Sequence, residues 1–386
     1  MTNVIAITGA SGLPGQHLIK YLQENPDILN ICEIKTIDLK PFNPLIEIEK
    51  NIPMKHYQIN ICDEEKFKEA LEDVTGVFHL AEKSFDYTNK HFTSTSEKEY
   101  WEKNVKSVEC LCRCIVENNI TNVVYLGSAY CNLSIQDNFG LSEDNYSDLS
   151  TSGYILGVYG ETKTKGEIYL REFAETTQTK NGGRIQLICL RPTIIYGEGN
   201  CKIINALLKL CKENEGLLKF VEGQSNGLQQ FIYAGNLAYF MTISMKRIFD
   251  SNNKHKNVFL YVMDNSACTN IHNFFLTLLQ INGYDICDHG TNVIIFTIER
   301  FYEYLKRSMN FNIEQTAISD MAKIFLFKYA LGFSDRKMYL YFKPNIPYTQ
   351  EMAYNKMLSW YKNEINKNCI CDLSKGSKNR GDVGAG

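Results

Sequence analysis

The stretch NVIAITGASGLPG at residues 3–15 joins a short apolar strand pattern, a loop with three glycines and the start of a helical pattern. A glycine loop in this place brings backbone N–H groups against a pyrophosphate, and the helix N-terminus adds positive potential. Glycines also make ordinary turns, so the flanking strand and helix carry the inference. The stretch therefore predicts a dinucleotide site that includes Gly9, Gly12, Leu13 and Gly15.

The first half of the chain alternates short apolar segments with longer segments of helical period. This alternation predicts an α/β fold, a doubly wound parallel sheet of the Rossmann type with helices on both faces. We expect residues 1–190 to form this dinucleotide-binding domain. Residues 191–365 are expected to form a smaller C-terminal lobe of mixed structure that binds the substrate and partly returns to the sheet. Residues 366–386, rich in Lys, Ser, Gly and Asn, predict a flexible tail.

The composition is that of a globular protein, with 44% hydrophobic residues, 22% charged residues and a formal net charge of −3. The balanced charge provides no basic surface, so we expect no nucleic-acid partner. The 13 cysteines are scattered without Cys-x-x-Cys spacing, which predicts no metal site and a reducing compartment. The sequence shows no signal-peptide pattern and no long apolar run, so we expect a cytoplasmic location.

An acidic residue, Asp38, ends the second predicted strand. Its carboxylate is placed to accept hydrogen bonds from both hydroxyls of an adenosine ribose. The same charge repels a 2′-phosphate, which favours NAD over NADP, although Lys40 offsets part of that repulsion. Taken alone, Asp38 is also explained as a turn residue at the end of a strand.

A tyrosine and a lysine four residues apart, Tyr159 and Lys163, lie in the helical segment after the apolar strand VVYLGS. Residues four apart share a helix face, and this spacing occurs three times in the chain, so spacing alone decides nothing. Only this pair follows a strand whose carboxyl end, with Ser128, points into the crevice where such sheets bind ligands.

The pKa of a phenol is about 10, and a neighbouring ammonium is expected to lower that pKa. Tyr159 would then act as a general acid and base on a substrate hydroxyl, while Ser128 holds the substrate oxygen. The arrangement suits oxidation of a secondary alcohol to a ketone and the reverse reaction.

Several motifs extend this pattern: TGASGLPG, HLA at 79–81, GS at 127–128, YGETK, LRPTIIYGEG at 190–199 and QFIYAGNLA at 230–238. As a set they resemble the 3β-hydroxysteroid dehydrogenase family of the extended short-chain dehydrogenase/reductase superfamily along most of the chain. The resemblance implies that Tyr159 and Lys163 are the catalytic pair, that Ser128 assists, and that Asn104 is the family's helix asparagine near the site.

The resemblance also implies contacts with the cofactor. Asn60 and Ile61 would flank the adenine, Leu80 and Ala81 would follow the middle of the dinucleotide, and Pro192 would approach the nicotinamide. Asn60 stands where the family usually has aspartate, and its amide oxygen would still accept a hydrogen bond from the adenine amine.

Two departures from the family bear on activity and location. Isomerisation of a steroid double bond is associated with a second tyrosine and lysine, where this chain has Leu276 and Gln280, which cannot shuttle a proton. The family's hydrophobic membrane segment is replaced by TNVIIFTIERFYEYLKRSMNF at 291–311, which is interrupted by charges. It predicts either a helix packed on the second lobe or an amphipathic surface helix. The resemblance further suggests a homodimer and a peripheral contact with the endoplasmic reticulum membrane.

The resulting prediction is an NAD-dependent dehydrogenase acting on the 3β-hydroxyl of a steroid or sterol. The pocket walls would be the loop at 82–96, with Phe85 and Tyr87, and the segment after Tyr196. One alternative keeps the chemistry with a sugar nucleotide or a sterol 4-carboxylate as substrate. Another is a protein that senses a dinucleotide without catalysis, which would not require Ser128, Tyr159 and Lys163 together.

Overall fold

The computed structural model describes residues 2–87, 94–144, 153–222, 227–250, 257–287, 290–292, 298 and 319–378. Its strands are β1 (Asn3–Thr8), β2 (Ile31–Asp38), β3 (Met54–Gln58), β4 (Gly76–His79), β5 (Asn122–Leu126), β6 (Asn138–Leu141), β7 (Gln186–Pro192), β8 (Ile194–Tyr196), β9 (Leu217–Leu218), β10 (Val221–Glu222), β11 (Leu228–Gln229), β12 (Phe231–Tyr233), β13 (Val258–Val262), β14 (Thr269–Asn270), β15 (Asp285–Ile286), β16 (Thr291–Asn292) and β17 (Leu331–Phe333).

The helices in these ranges are α1 (Leu13–Glu24), α2 (Glu64–Ala70), α3 (Ser94–Trp101), α4 (Ser107–Glu117), α5 (Gly157–Thr176), α6 (Lys202–Glu213), α7 (Ala234–Asp250), α8 (Ile271–Ile281), α9 (Asp320–Phe327), α10 (Arg336–Phe342) and α11 (Gln350–Lys378). A 3₁₀ turn spans Pro26–Ile28, and a π-helical turn at Glu102–Lys106 joins α3 to α4. None of the helices in the described ranges has the length and apolar character needed to cross a bilayer.

Seven strands from the described residues form the central sheet, in the order β13-β7-β5-β4-β1-β2-β3, and every neighbouring pair is parallel. The chain builds the sheet outward from β1 in one direction and then from β4 in the other, so the strand order reverses between β1 and β4. A crevice opens at such a reversal, beyond the carboxyl ends of the strands. This position is where a ligand is expected to bind.

Helices cover both faces of the sheet because its strands are apolar on both sides. Helices α1 and α7 pack together over one face, and α2, α4 and α5 cover the other. In α4 the buried residues Val108, Leu111, Cys112 and Ile115 follow helical spacing, which places them on one stripe against the sheet.

The second lobe has its own apolar core above the carboxyl edge of the sheet. Phe231 of β12 and Phe274 of α8 stack with ring centroids 3.7 Å apart. Helix α6 contributes Ile204, Leu207 and Cys211 to the same core, each fully buried. The lobe thus covers the crevice and supplies its outer wall.

The seventh strand, β13, and the packed helix α7 come from residues 191–365, the part of the chain expected to return partly to the sheet. The structure differs from the expected layout at one place: residues 366–378, expected in a flexible tail, continue helix α11. The core contacts of Ala353, Met357 and Tyr361 anchor this helix, and extending an existing helix costs little per residue. Residues 379–386 and most of the segment at 291–311 lie outside the described residues.

Candidate active site

A cleft of about 530 Å³ opens at the carboxyl ends of the sheet strands. Its floor comes from the loops that follow β1, β2, β4, β5 and β7, and its outer wall from the start of α6 and from α9. Eleven of the predicted catalytic and cofactor-binding residues line it: Gly9, Gly12, Leu13, Asp38, Asn60, Ile61, Leu80, Ala81, Ser128, Tyr159 and Pro192. Gly15, Lys163 and Asn104 lie behind the surface of the cleft.

The glycine loop after β1 is pressed against the end of β4. Gly9 has a φ of +69°, and a Cβ at this residue would lie 2.8 Å from the backbone of Ala81. A Cβ at Gly15 would lie 2.6 Å from the carbonyl oxygens of Gly9 and Ala10, so Gly15 allows α1 to start directly on the loop. Gly12 is the N-cap residue of α1. The loop therefore forms the close backbone cradle that a pyrophosphate requires.

The adenosine end of the cleft is lined by Asp38, Asn60 and Ile61. The Asp38 carboxylate accepts hydrogen bonds from the backbone N–H groups of Ser11 (3.0 Å) and Lys40 (3.1 Å), one on each oxygen. Each oxygen retains a further lone pair for a ribose hydroxyl. The Asn60 Oδ1 already accepts from the N–H of Cys62 at 3.0 Å, so this amide also caps its own turn.

The inner end of the cleft is built where β1 and β4 finish. The Thr8 hydroxyl accepts hydrogen bonds from the N–H groups of Leu80 and Ala81, both at 3.2 Å, and lies 3.0 Å from the Nδ1 of His79. Burial lowers the pKa of His79 to about 3, so its ring is neutral at physiological pH. The path of the chain at 80–81 is therefore fixed by side-chain bonds from the neighbouring strand.

Thr193 is a cleft residue that sequence reasoning missed. It follows Pro192, is 2% exposed, and its Oγ1 has no hydrogen-bond partner among the described residues. An unpaired buried hydroxyl is costly, and a polar ligand group at this end of the cleft would satisfy it. The glycine cradle, the carboxylate of Asp38 and this hydroxyl together fit a dinucleotide.

Tyr159 and Lys163 come together on the buried face of α5. Tyr159 is 6% exposed and Lys163 is 3% exposed. The Lys163 Nζ donates to the carbonyl oxygen of Leu126 at 2.9 Å, and it lies 4.8 Å from the centre of the Tyr125 ring. The ammonium therefore sits beneath the end of β5, with Tyr159 above it at the cleft surface.

The carboxylate of Glu82 stands beside both side chains. Its Oε2 lies 3.0 Å from the Nζ of Lys163 and accepts a 3.5 Å hydrogen bond from the Tyr159 hydroxyl. The sequence placed Glu82 only in the predicted pocket-wall loop at 82–96, and its position beside the catalytic pair was not predicted. A carboxylate at this place changes the electrostatics of the predicted catalytic pair.

The expectation that Lys163 lowers the pKa of Tyr159 is wrong for this structure. Burial, followed by the charge of Glu82, raises the pKa of Tyr159 well above its ordinary value. Burial alone would lower the pKa of Lys163, but Tyr125, Glu82 and Cys131 together raise it. The Lys163 ammonium stays charged. Because its charge is paired with the Glu82 carboxylate, it does not stabilise a phenolate at Tyr159.

Asn104, predicted near the chemistry, lies in the π-helical turn at Glu102–Lys106 and is 1% exposed. Its Oδ1 accepts from the N–H of Lys83 at 2.7 Å, and its Nδ2 donates to the carbonyl oxygen of Lys83 at 3.2 Å and to the Oγ1 of Thr162 at 3.1 Å. The amide therefore joins the loop after β4 to helix α5. It positions Glu82 relative to Tyr159 from behind the cleft.

The outer wall of the cleft is aromatic and apolar. Phe85 lies 5.0 Å from Tyr87 and 5.8 Å from Tyr159, measured between ring centroids. Phe325 of α9 packs against Tyr130 at 5.1 Å on the second lobe's side. The predicted pocket walls at Phe85 and Tyr87 do line the cleft, while residues 88–93 of that loop lie outside the described residues.

Two features define an oxidoreductase of the extended short-chain dehydrogenase type. One is the glycine cradle where the strand order of the parallel sheet reverses, and the other is the pair of Tyr159 and Lys163 on the buried face of α5. The chain belongs to the 3-beta hydroxysteroid dehydrogenase/isomerase family, whose model matches residues 6–291. The family predicted from sequence is thereby confirmed.

Curated relatives carry the same description. The chain is 26% identical over 285 residues to the 3 beta-hydroxysteroid dehydrogenase/Delta 5→4-isomerase of Vaccinia virus (strain Copenhagen), covering 73% of this chain and 78% of the relative. It is 25% identical over 288 residues to the protein of the same description from Monkeypox virus, with 73% and 78% coverage.

Solved structures with low sequence identity share the fold. MoeE5 in complex with UDP-glucose and NAD superposes with a TM-score of 0.64 at 14% identity, over 94% of this chain and all of that chain. A UDP-galactose 4-epimerase gives a TM-score of 0.63 at 14% identity, over 94% of this chain and 99% of that chain. The predicted doubly wound fold is confirmed.

Proposed function

We propose that this chain is an NAD-dependent dehydrogenase that oxidises the 3β-hydroxyl of a steroid or sterol to a ketone. The observation that carries the proposal is the Tyr159 hydroxyl at the inner end of a cleft whose outer wall is aromatic. The family and the descriptions of the viral relatives support the same activity. An apolar polycyclic substrate would bury its surface against this wall and present one polar end to Tyr159.

The dinucleotide would be held by the loop of Gly9 and Gly12 at its pyrophosphate, by Asp38 at its ribose, and by Leu80 and Ala81 along its middle. When bound, NAD supplies the acceptor for the hydride that leaves the carbinol carbon. Pro192 and Thr193 line the cleft at the end where the nicotinamide would lie.

Ser128 and Tyr159 act on the substrate oxygen. The Ser128 Oγ accepts a hydrogen bond from the N–H of Tyr130 at 3.3 Å, and its hydroxyl can donate a hydrogen bond to the substrate oxygen. Tyr159 exchanges a proton with the substrate hydroxyl as the hydride leaves: it takes the substrate proton and passes on its own, so the ketone product carries no proton on its oxygen. The Lys163 ammonium is held beneath the end of β5 by the carbonyl oxygen of Leu126 and is paired with Glu82.

The direct test is to incubate the purified protein with NAD and separate panels of 3β-hydroxysteroids, sterol 4-carboxylates and nucleotide sugars. Absorbance of the reduced cofactor reports turnover. Turnover of a 3β-hydroxysteroid and of no nucleotide sugar supports the proposal. Binding of NAD without turnover of any member would favour a dinucleotide sensor instead.

One observation favours the nucleotide-sugar alternative. Four lysines line the cleft, at positions 40, 83, 103 and 202, and such cations suit phosphate groups. Burial lowers the pKa of Lys202, whose Nζ is hydrogen-bonded to the Oγ of Ser84. Because the same lysines also suit the dinucleotide's own phosphates, they do not displace the steroid proposal, and the panel separates the two.

The isomerase step is expected to be absent. Leu276 and Gln280 lie on α8, where Gln280 is exposed and neither residue lines the cleft. The product of a Δ5-steroid should therefore keep its double bond in place, which the ultraviolet absorbance of a conjugated enone tests in the same assay. The suggested homodimer and peripheral membrane contact stay predictions.

Cofactor preference is expected to depend on the charge of Asp38. Replacing it by asparagine removes the charge that would repel a 2′-phosphate, so the affinity for NADP relative to NAD should rise about tenfold. Titration of each cofactor, followed by protein fluorescence, measures the ratio. Lys40→Ala is the matched control and should move the ratio in the opposite direction. An unchanged ratio in Asp38→Asn contradicts the assignment.

A further inference from the structure

Glu82 is the one acidic side chain, among the described residues, within bonding distance of the catalytic pair. A single oxygen, Oε2, contacts both the Tyr159 hydroxyl (3.5 Å) and the Lys163 Nζ (3.0 Å). The Glu82 side chain is 24% exposed, whereas the Lys163 side chain is 2% exposed. Glu82 therefore joins two buried groups to the solvent side of the cleft.

The buried phenol needs a proton acceptor other than the ammonium. Burial and Glu82 raise the pKa of Tyr159, so its phenolate does not accumulate at neutral pH. Lys163 is a charged donor already bonded to Leu126 and Glu82, and a charged ammonium cannot accept a proton. A carboxylate is the group at this place that can accept one.

We propose that Glu82 is the proton acceptor for Tyr159, so that the hydroxyl proton passes from substrate to Tyr159 and from Tyr159 to Glu82. This inference rests on the proposed dehydrogenase function. In the oxidation, the substrate O–H bond breaks and its proton joins the tyrosine oxygen as the tyrosine O–H proton joins Glu82. The hydride goes to the nicotinamide cofactor, and Glu82 then releases its proton to water. In the reduction each transfer runs backwards.

The loop that carries Glu82 is held in place for this role. Asn104 bonds both the N–H and the carbonyl oxygen of Lys83, the next residue, and the same amide bonds Thr162 of α5. The Glu82 backbone therefore cannot move far from the helix that carries Tyr159. A 3.5 Å contact is long for a proton transfer, and such contacts commonly shorten when substrate binds.

The groups that face Glu82 come from its own loop, from α3, α5 and α6, and from the turn after β5: Tyr87, Tyr100, Cys131, Tyr159, Lys163 and Lys202. Burial raises the pKa of the other tyrosines and of Cys131, so these groups stay neutral over the working pH range. Lys163 stays charged. Glu82 is therefore the one carboxylate among these groups, and it is the one that can accept a proton.

A structural role and a proton-transfer role predict opposite results. If Glu82 only paired the charge of Lys163, its removal would free the ammonium to favour the phenolate, and oxidation at neutral pH would be unchanged or faster. If Glu82 accepts the proton, its removal slows oxidation. The sign of the change in kcat separates the two.

The test compares Glu82→Gln with the wild-type protein, using NAD and a 3β-hydroxysteroid. We expect kcat to fall about 10²-fold at neutral pH, with a smaller change in KM. Glu161→Gln, which breaks the exposed pair with Lys165 on the same helix, is the matched control and should leave kcat unchanged.

Two more variants guard against a merely structural loss. Glu82→Asp keeps a shorter carboxylate and should recover part of the activity. Glu82→Ala leaves room for a small acid, so added formate should raise its kcat in a saturable way, about tenfold, with no effect on Glu161→Ala. Retained kcat in Glu82→Gln, or a loss of kcat in Glu82→Ala that formate does not reverse, overturns the proposal. If the wild-type protein turns over no hydroxysteroid, the proposed function itself fails, which is a separate result.

Discussion

Tyr159→Phe is expected to lower kcat for alcohol oxidation by about 10²- to 10⁴-fold, because it removes the hydroxyl that takes the substrate proton. The ring itself should stay in place, since it packs against Phe85 at 5.8 Å and Tyr100 at 6.1 Å between centroids. The loss should therefore appear in kcat, while the affinity for NAD changes by less than about threefold. Steady-state kinetics and a cofactor titration measure both quantities.

Tyr169→Phe is the matched control for this experiment, because Tyr169 lies on the same helix and is 37% exposed. It should behave as wild type in both assays. Activity of Tyr159→Phe within tenfold of wild type would contradict the assignment of the proton transfer. A thermal unfolding curve close to that of wild type would exclude misfolding as the cause of lost turnover.

Arg191→Met is expected to lower the free energy of unfolding by about 3–5 kcal/mol, because it leaves a buried carboxylate without its partner. Arg191 of β7 and Glu167 of α5 have side chains 3% and 4% exposed. The guanidinium donates to both oxygens of Glu167, with contacts of 2.7, 2.9 and 3.1 Å. What remains near Glu167 is Arg171, whose Nη1 lies 3.8 Å away and which is partly exposed.

Urea unfolding followed by circular dichroism measures this change. The double variant Arg191→Met/Glu167→Gln should recover part of the loss, because no buried charge is left unpaired. Arg113→Met breaks the exposed pair with Glu64, whose side chains are 45% and 44% exposed, and should cost less than about 1 kcal/mol. A loss in Arg191→Met no larger than that in Arg113→Met would show that the buried pair does not hold α5 to the sheet.

The two variants probe different functions of the same helix. Helix α5 carries Tyr159 at one end of its buried face and Glu167 two turns later. The ion pair with Arg191 ties this helix to the strand that ends at Pro192, and that strand end lines the cleft. A loosened pair should therefore disturb catalysis through position as well as reduce stability.

The local patterns of the sequence were enough to predict the glycine loop, the alternation of strands and helices, and the family. These features depend on residues close in the chain, where a strand, a turn and a helix start follow one another. Most of the residues predicted to bind the cofactor do line the cleft for the same reason, since they stand at the ends of strands, and strand ends meet at one edge of a parallel sheet.

The contacts of Glu82 could not be predicted in this way. Glu82 and Tyr159 are 77 positions apart, and whether a carboxylate after β4 points toward α5 depends on how the intervening loop is held by Asn104. The pKa of Tyr159 likewise depends on burial and on the sum of nearby charges, which spacing along one helix does not reveal. The expected acidic phenol was wrong for this reason.

The sequence by itself determined the strands, the helices, the cradle for a dinucleotide and the presence of a tyrosine and lysine on one helix face, because periodicity and turn chemistry act over a few residues. Only the tertiary structure decided which charges surround Tyr159, that the Thr193 hydroxyl has no hydrogen-bond partner among the described residues, and which loop forms the wall of the cleft. Electrostatic energies depend on distance through space and on burial, and both are set when distant segments pack together.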